Sequence, residues 1–178
     1  MAIIVKGDSS YEVCPTGMQP AVCSAVHDLG TQPGYQGKPT HQVGLVFELA
    51  VCQTEGDFAG KRFLRSRTYT ASLNERANLR KDLESWRGKV FTPKELEGFN
   101  LEKLLGANCT LNLVEKTTNS GRTCVTIANI LPRTKEQKKL VPEQPGFMPD
   151  WMADKISDPD NNSSSIPSAD DFDDDIPF

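Results

Sequence analysis

The sequence lacks the features that would place it in several familiar classes. It has no run of about 18 apolar residues, so we expect no transmembrane helix. The first residues, 1–6, do not combine a basic stretch with a long apolar one, so we expect no signal peptide. There is no internal repeat, Gly-rich phosphate loop, nucleophile elbow or HExxH motif, and an enzyme therefore has the least support.

Cysteine and histidine are also sparse. The five cysteines are odd in number and widely spaced, and they form no CxxC pair, so we expect reduced thiols and a cytoplasmic protein. The only zinc site that the chain offers would combine Cys14, Cys23, His27 and His41, whose spacing matches no common structural pattern. We therefore expect neither a metal nor any other cofactor.

Charge of each sign is concentrated in a different part of the chain. Residues 1–139 carry 19 basic and 14 acidic residues, a net charge of +5. Residues 140–178 carry one lysine and 10 acidic residues, a net charge of −9. The overall charge of −4 thus combines a basic body with an acidic tail. Such a division indicates contact with nucleic acid together with an interaction tail.

The body predicts mainly β structure. Alternation of apolar residues is clearest at Val43, Leu45, Phe47, Leu49 and Val51, which fall on one face of a strand. Similar patterns predict strands over the ranges 21–29, 41–53, 61–71, 108–116 and 122–131.

Helical signals interrupt the strands between the third and the fourth. Ser72-Leu73-Asn74-Glu75 has the form of a capping box, Leu79, Leu83 and Trp86 then form one apolar stripe, and Gly88 is a helix stop. Thr92-Pro93-Lys94-Glu95 predicts a second, short helix. Three strands, a helical insert and two strands is the order of an OB-fold, a five-stranded Greek-key barrel, although a small β-sandwich has a similar strand count.

The composition changes after the last strand. We expect an OB-fold domain over residues 1–134, a mostly disordered linker over 135–169 and an acidic tip over 170–178. Residues 135–139 form a basic hinge, and the stretch 140–156 contains three prolines together with Phe147, Met148, Trp151 and Met152. This stretch could be either a second partner motif or a strap packed on the barrel.

The third strand predicts a binding surface for nucleic acid. Its odd positions place two arginines between two aromatic residues on one face, which suits phosphate contact and base stacking better than a core. An OB-fold also binds oligonucleotides through its β1–β2 and β4–β5 loops. The candidate residues from the strand and these loops are Tyr35, Lys38, Lys61, Arg62, Phe63, Arg65, Arg67, Tyr69 and Arg122.

The end of the chain carries the most specific motif. An apolar Ile176-Pro177-Phe178 follows a run of aspartates, and a tail that served solubility alone would gain nothing from ending on Phe. A recognition peptide would gain an apolar anchor and a carboxylate for a basic pocket on a partner. The candidate partner-binding residues are Asp170, Asp171, Phe172, Asp173, Asp174, Asp175, Ile176, Pro177 and Phe178.

This ending resembles the carboxyl-terminal tip of bacterial single-stranded DNA-binding proteins. The resemblance implies an OB-fold that coats single strands. It also implies a tip that recruits replication, recombination and repair proteins, such as an exonuclease, a helicase or a primase. The body lacks the amino-terminal motifs of the common housekeeping members and is similar to divergent forms carried by bacteriophages or other mobile elements. The resemblance leaves open whether the chain forms a homo-oligomer.

Three other functions remain compatible with the same residues. The OB-fold could bind protein as an adaptor, it could bind RNA as cold-shock domains do, or it could anneal strands in recombination. Binding to poly-dT separates the adaptor from the nucleic-acid-binding functions, and competition between RNA and DNA oligonucleotides separates the cold-shock type from the DNA binder.

Overall fold

The computed structural model describes residues 12–157, apart from the side chain of Tyr35, and its architecture is mainly β. One antiparallel sheet has the strand order β3-β2-β1-β4-β5. The strands are β1 (Gly17–Pro33), β2 (Pro39–Cys52), β3 (Arg62–Thr70), β4 (Asn108–Thr117) and β5 (Thr123–Pro132). The α-helices are α1 (Asn78–Arg87), α2 (Pro93–Glu97) and α3 (Asp150–Ser157), and short 3₁₀ turns cover Tyr35–Gly37 and Leu101–Leu104.

The five predicted strands are all present, and the central strand β1 organises them. It is 17 residues long and pairs with both β2 and β4. Register shifts between Cys23 and Ala25, and between Asp28 and Gly30, bend it, since an extra residue in one strand increases the local twist. Gly30 has a φ of 67°, which a glycine adopts without steric cost.

The described strands do not close the sheet into a barrel. In the observed order, β3 and β5 are its two edges. The two edges nevertheless meet through a side chain, because Arg67 of β3 donates hydrogen bonds to the carbonyls of Ile127 (2.8 Å) and Ala128 (3.4 Å) of β5. The sheet is therefore strongly curved and open along this seam.

The core lies between the inner face of the sheet and α1. The predicted alternation of β2 is confirmed for Val43, Leu45, Phe47 and Leu49, which are all buried, whereas Val51 is 37% exposed. The register of β2 against β3 shifts after Glu48, and this shift ends the alternation before Val51. The predicted apolar stripe of α1 is buried against the sheet and consists of Leu79, Leu83 and Trp86.

The start of α1 differs from the prediction, whereas its end and the start of α2 do not. The hydroxyl of Ser72 accepts from the backbone N–H of Asn74, whose own side chain accepts from Arg76, so these side chains hold successive turns. The helix consequently begins at Asn78. Gly88 ends it with a φ of 69°, and Thr92 forms the predicted capping box with Glu95.

The chain continues to pack on the sheet beyond residue 134, where the sequence placed the end of the domain. Residues 140–157, here called the strap, lie along the outer face of β1 and β2 and end in α3. Met152 of the strap is fully buried in a second apolar cluster with Ala25, Leu29 and Val46. Of the two interpretations of this stretch, the structure therefore favours the strap.

The cysteines of the described residues are free thiols. Cys14, Cys23 and Cys109 are buried, and Cys52 is exposed. Burial raises the pKa of Cys23 to about 12, so this thiol is protonated and unreactive at neutral pH.

Candidate nucleic-acid interface

The aromatic residues predicted to stack on bases lie in the core. Phe63 is 4% exposed and Tyr69 is 0% exposed, and the Tyr69 hydroxyl donates to a carboxylate oxygen of Asp82 on α1 at 2.7 Å. The odd positions of β3 do share one face, as predicted, but this face is turned towards the core. The prediction that it forms a solvent-exposed binding surface is therefore wrong. Burying two large aromatic side chains stabilises the fold more than exposing them would.

The arginines on the same face are accommodated by specific partners. Arg67 is only 8% exposed, and its Nη1 lies 3.4 Å from Asp82 Oδ2. Its guanidinium also lies 5.3 Å from the centre of the Tyr69 ring. Arg65 is half-buried and donates to the carbonyl of Leu64 at 3.0 Å. Arg67 therefore joins β3 to α1 and β5, and little of its guanidinium is accessible to a phosphate.

Arg62 is held between β2 and the strap. Its Nη1 donates to Glu48 Oε2 (3.2 Å) and to the carbonyl of Val141 (2.7 Å). Its Nε lies 3.4 Å from Glu143 Oε1, and its side chain is 16% exposed. This predicted phosphate ligand is therefore covered by the chain itself.

The strap is anchored along the length of the outer face. The buried carboxylate of Glu48 accepts from the backbone N–H groups of Glu143 (2.8 Å) and Gln144 (2.7 Å). The carbonyl of Ser24, at the bulge of β1, accepts from the N–H of Gly146 at 2.9 Å. Gln32 donates to the carbonyl of Lys155 at 2.8 Å, so the contacts reach from one end of β2 to the other. The outer face of β1 and β2 is therefore filled by this segment.

Gly44 determines how closely the strap packs. A Cβ at this position would lie 2.7 Å from Met152 Cε and 2.9 Å from Met152 Sδ, closer than van der Waals contact allows. Gly44 lies in β2 and its φ is outside the left-handed region, so an alanine can adopt its backbone conformation. We expect Gly44→Ala to displace the flexible end of the Met152 side chain and destabilise strap docking by about 1 kcal/mol, the low end of the range for overpacking.

Hydrogen exchange measures this effect directly. The amide of Gly146, bonded to Ser24, should exchange faster in the Gly44→Ala variant, whereas the amides of β4 should not. Gly98→Ala is the matched control, because a Cβ there meets nothing within 4 Å. Unchanged exchange at Gly146 would show that Gly44 does not determine how closely the strap packs.

The remaining predicted cations are exposed, but at two ends of the sheet. Lys38 lies in the short β1–β2 loop, Lys61 directly precedes β3, and Arg122 directly precedes β5. Because β1 is antiparallel to both β2 and β4, the ends of β2 and β4 lie together beside the start of β1. Lys61 and Arg122 therefore share one end of the sheet, and Lys38 lies at the other. Tyr35 is part of the 3₁₀ turn of the β1–β2 loop, but its side chain is outside the description.

Sequence reasoning missed an accessible aromatic residue at this end. Phe58 is 46% exposed in the β2–β3 loop, and Lys61 Nζ lies 5.6 Å from the centre of its ring. Lys61 lies over the Phe58 ring, so this loop combines an aromatic side chain with a cation, the two kinds of group that bind single-stranded nucleic acid. The available signal was a single aromatic residue between Gly56 and Gly60, in a loop that is otherwise polar and small.

The β2–β3 loop is held in place by internal and long-range hydrogen bonds. The N–H of Gly60 donates to the carbonyl of Gln53 at 2.7 Å. The carboxylate of Glu12 accepts from the N–H of Thr54 (2.6 Å), from its hydroxyl (3.0 Å) and from the N–H of Glu55 (3.1 Å). These bonds lower the pKa of Glu12, and the bond from the Thr54 amide has the largest effect. Phe58 and Lys61 are thus presented by an ordered loop. We call this loop (residues 53–61) and the β4–β5 turn (residues 118–122) the loop end of the sheet.

Comparison with known proteins adds no family. No protein-family model matches the chain, and no curated protein matches its sequence.

Among the described residues, no three His, Cys, Asp or Glu side chains are grouped so that they could hold a metal ion. No helix within residues 12–157 has both the length and the apolar character needed to cross a membrane. The predicted acidic tip, residues 170–178, lies outside the described residues.

Proposed function

We propose that the protein binds single-stranded DNA without sequence preference and recruits replication, recombination and repair proteins through residues 170–178. The observation that carries the proposal is the terminal sequence Asp-Asp-Asp-Ile-Pro-Phe, which resembles the tip of bacterial single-stranded DNA-binding proteins. The proposed role of the protein is to bind and protect the single strand, with no catalytic step.

The fold supports this proposal, because its strands can be interpreted as those of a partly open OB-fold. An OB-fold is a five-stranded, partly open Greek-key barrel, and the curved sheet observed here has a matching number of strands with helices between the third and the fourth. The central, bent β1 pairs with both halves of the sheet. The seam between β3 and β5 is where such a barrel would close, and Arg67 already bridges it.

The charge of the described residues also supports DNA binding. Residues 12–157 contain 19 basic and 16 acidic residues, a net charge of +3. Residues 158–178 contain seven aspartates and no basic residue, a net charge of −7. A polyanionic ligand is therefore attracted to the folded part, and basic pockets on partner proteins are attracted to the tail.

The loop end of the sheet supplies the contacts. Phe58 stacks on one base, and stacking is sequence-tolerant because every base has a π-face. Lys61 and Arg122 meet the phosphates on either side, and Lys38 extends the electrostatic contact at the opposite end of β1. Each phosphate that is neutralised adds about −0.7 to the log–log slope of affinity against salt.

Competition binding tests the DNA-binding part of the proposal. Fluorescence anisotropy with labelled oligo-dT should show binding that unlabelled oligo-dA and oligo-dT displace about equally well and that duplex DNA displaces poorly. Preferential displacement by RNA would instead assign the protein to the cold-shock type. A chain that binds no oligonucleotide but still captures partner proteins would be an adaptor.

Deletion of Phe178 tests the tip separately. The shortened chain should lose capture of a partner exonuclease or helicase while keeping its affinity for oligo-dT. A suitable control deletes Ser168, which shortens the tail by one residue without altering the last nine. Normal partner capture by the chain without Phe178 would contradict the proposed role of the tip.

A further inference from the structure

The basic hinge predicted from the sequence, residues 135–139, is part of an ordered and largely exposed turn that begins at Arg133. Within residues 133–139 the four cations are accompanied by a single acidic residue, Glu136, so the segment carries a net charge of +3. All four cations are exposed: Arg133, Lys135, Lys138 and Lys139. The proposed DNA contacts at the loop end of the sheet do not involve this segment.

Hydrogen bonds fix residues 133–137 of this segment as a turn and join it to β4. The Gln137 side chain accepts from the hydroxyl of Thr110 on β4 at 2.9 Å, and the N–H of Gln137 donates to the carbonyl of Thr134 at 3.2 Å. Arg133 Nη1 donates to the carbonyl of Gln137 at 2.6 Å. The segment is therefore a positioned group of charges, because its backbone is held against the sheet.

The end of α1 brings a further cation to the same place. A Cβ at Gly88 would lie 3.7 Å from Cγ of Pro132, so the residue after Gly88 lies close to the start of the turn. That residue is Lys89, which is exposed. We call Lys89 together with residues 133–139 the hinge patch.

The hinge patch and the loop end lie at opposite ends of the β4–β5 hairpin. Arg122 precedes the first residue of β5, and Arg133 follows the last. The 10 residues of β5 span about 30 Å at the usual strand rise of roughly 3.3 Å per residue. Between the two ends, the hairpin presents the polar, uncharged pair Asn112 and Asn129, and β4 also exposes Val114 and Glu115.

We propose that the hinge patch is a second contact site for the phosphate backbone of single-stranded DNA, and that one strand reaches it from the loop end along the β4–β5 hairpin. This inference rests on the proposed function. The strap favours such a path, because it fills the outer face of β1 and β2. At the duplex phosphate spacing of 3.4 Å, roughly nine nucleotides span the distance, and fewer do so when the strand is more extended.

The length of the oligonucleotide separates the two contact sites. In the full chain, the triple substitution Lys135→Gln, Lys138→Gln and Lys139→Gln should make the log–log salt slope for a dT of about 25 nucleotides shallower by about 2. The affinity for a dT of about five nucleotides, which occupies the loop end alone, should change less than twofold because it does not reach the hinge patch.

The matched control removes the same charge elsewhere on the surface. Lys81→Gln, Lys94→Gln and Lys103→Gln alter three exposed lysines of the helical insert and should leave the slope for the long oligonucleotide unchanged. A slope that is unchanged by the hinge substitutions, or that changes equally in the control, would overturn the inference while wild-type binding upholds the proposed function. Absence of wild-type binding at every length would overturn the proposed function itself.

Discussion

Replacing Phe58 by alanine is expected to weaken binding to oligo-dT by about 1–3 kcal/mol, the usual contribution of one base stacked on an aromatic side chain. The residue is 46% exposed, so the substitution should lower the free energy of unfolding by much less than replacement of a core phenylalanine does. The measurement is an anisotropy titration at constant salt, accompanied by urea denaturation of both proteins.

Two other phenylalanines serve as controls for this substitution. Phe147 of the strap is 39% exposed but lies away from the loop end, so Phe147→Ala should leave DNA affinity unchanged. Phe63 is in the core, and Phe63→Ala should lower the free energy of unfolding by about 3–5 kcal/mol. Equal losses of affinity in the Phe58 and Phe147 variants would show that Phe58 has no specific role.

Replacing Glu48 by alanine is expected to produce the largest loss of stability among the polar residues of the outer face. The carboxylate is 1% exposed and accepts from Arg62 and from two backbone amides of the strap. Removing one member of a buried ion pair costs about 3–5 kcal/mol when the partner charge is left buried and uncompensated. Arg62 keeps Glu143 and the carbonyl of Val141, so we expect a loss at the lower end of this range. Urea denaturation should therefore show a markedly lower midpoint.

The effect should begin in the strap. Without Glu48, the amides of Glu143 and Gln144 lose their acceptor, so their hydrogen exchange should accelerate more than that of the β4–β5 ladder. Glu115→Ala, at an exposed position of β4, is a matched control that should change stability by less than about 0.5 kcal/mol. A loss below about 1 kcal/mol for Glu48→Ala would contradict the proposed anchoring.

Local patterns were sufficient to predict the five strands, although not that the sheet stays open between β3 and β5. Side chains alternate along a strand, so the sequence of β2 identifies Leu45, Phe47 and Leu49 as one buried face. The turn at Gly88 and the capping box at Thr92 depend on backbone geometry within a few residues. These features could be predicted because nearby residues determine them.

The orientation of β3 could not be predicted in this way. Alternation shows that Phe63, Arg67 and Tyr69 share a face, but it does not show which side of the sheet that face meets. Two arginines seemed to exclude the core. The structure accommodates Arg67 there through Asp82 of α1 and a carbonyl of β5, partners that lie 15 and 60 residues away in sequence.

The strap was equally hidden in the sequence. Because its apolar residues follow no regular helix or strand period, the sequence predicted a linker. Its docking depends on contacts with strands about 90 to 120 residues earlier in the chain, such as Glu48 with Gln144 and Gln32 with Lys155. The absence of a side chain at Gly44 makes room for Met152, and no local rule connects these two residues. Consequently the covered face of β2 could be found only from the structure.

The measurement that tests the central proposal most directly is the affinity of the full chain for oligo-dT of about 25 nucleotides at several salt concentrations. Contacts from Lys61, Arg122 and three of the hinge-patch lysines, Lys135, Lys138 and Lys139, predict tight binding at low salt and a log–log slope of about −3 to −4. Absence of binding at the lowest salt concentration, or an affinity that does not change with salt, would contradict the account.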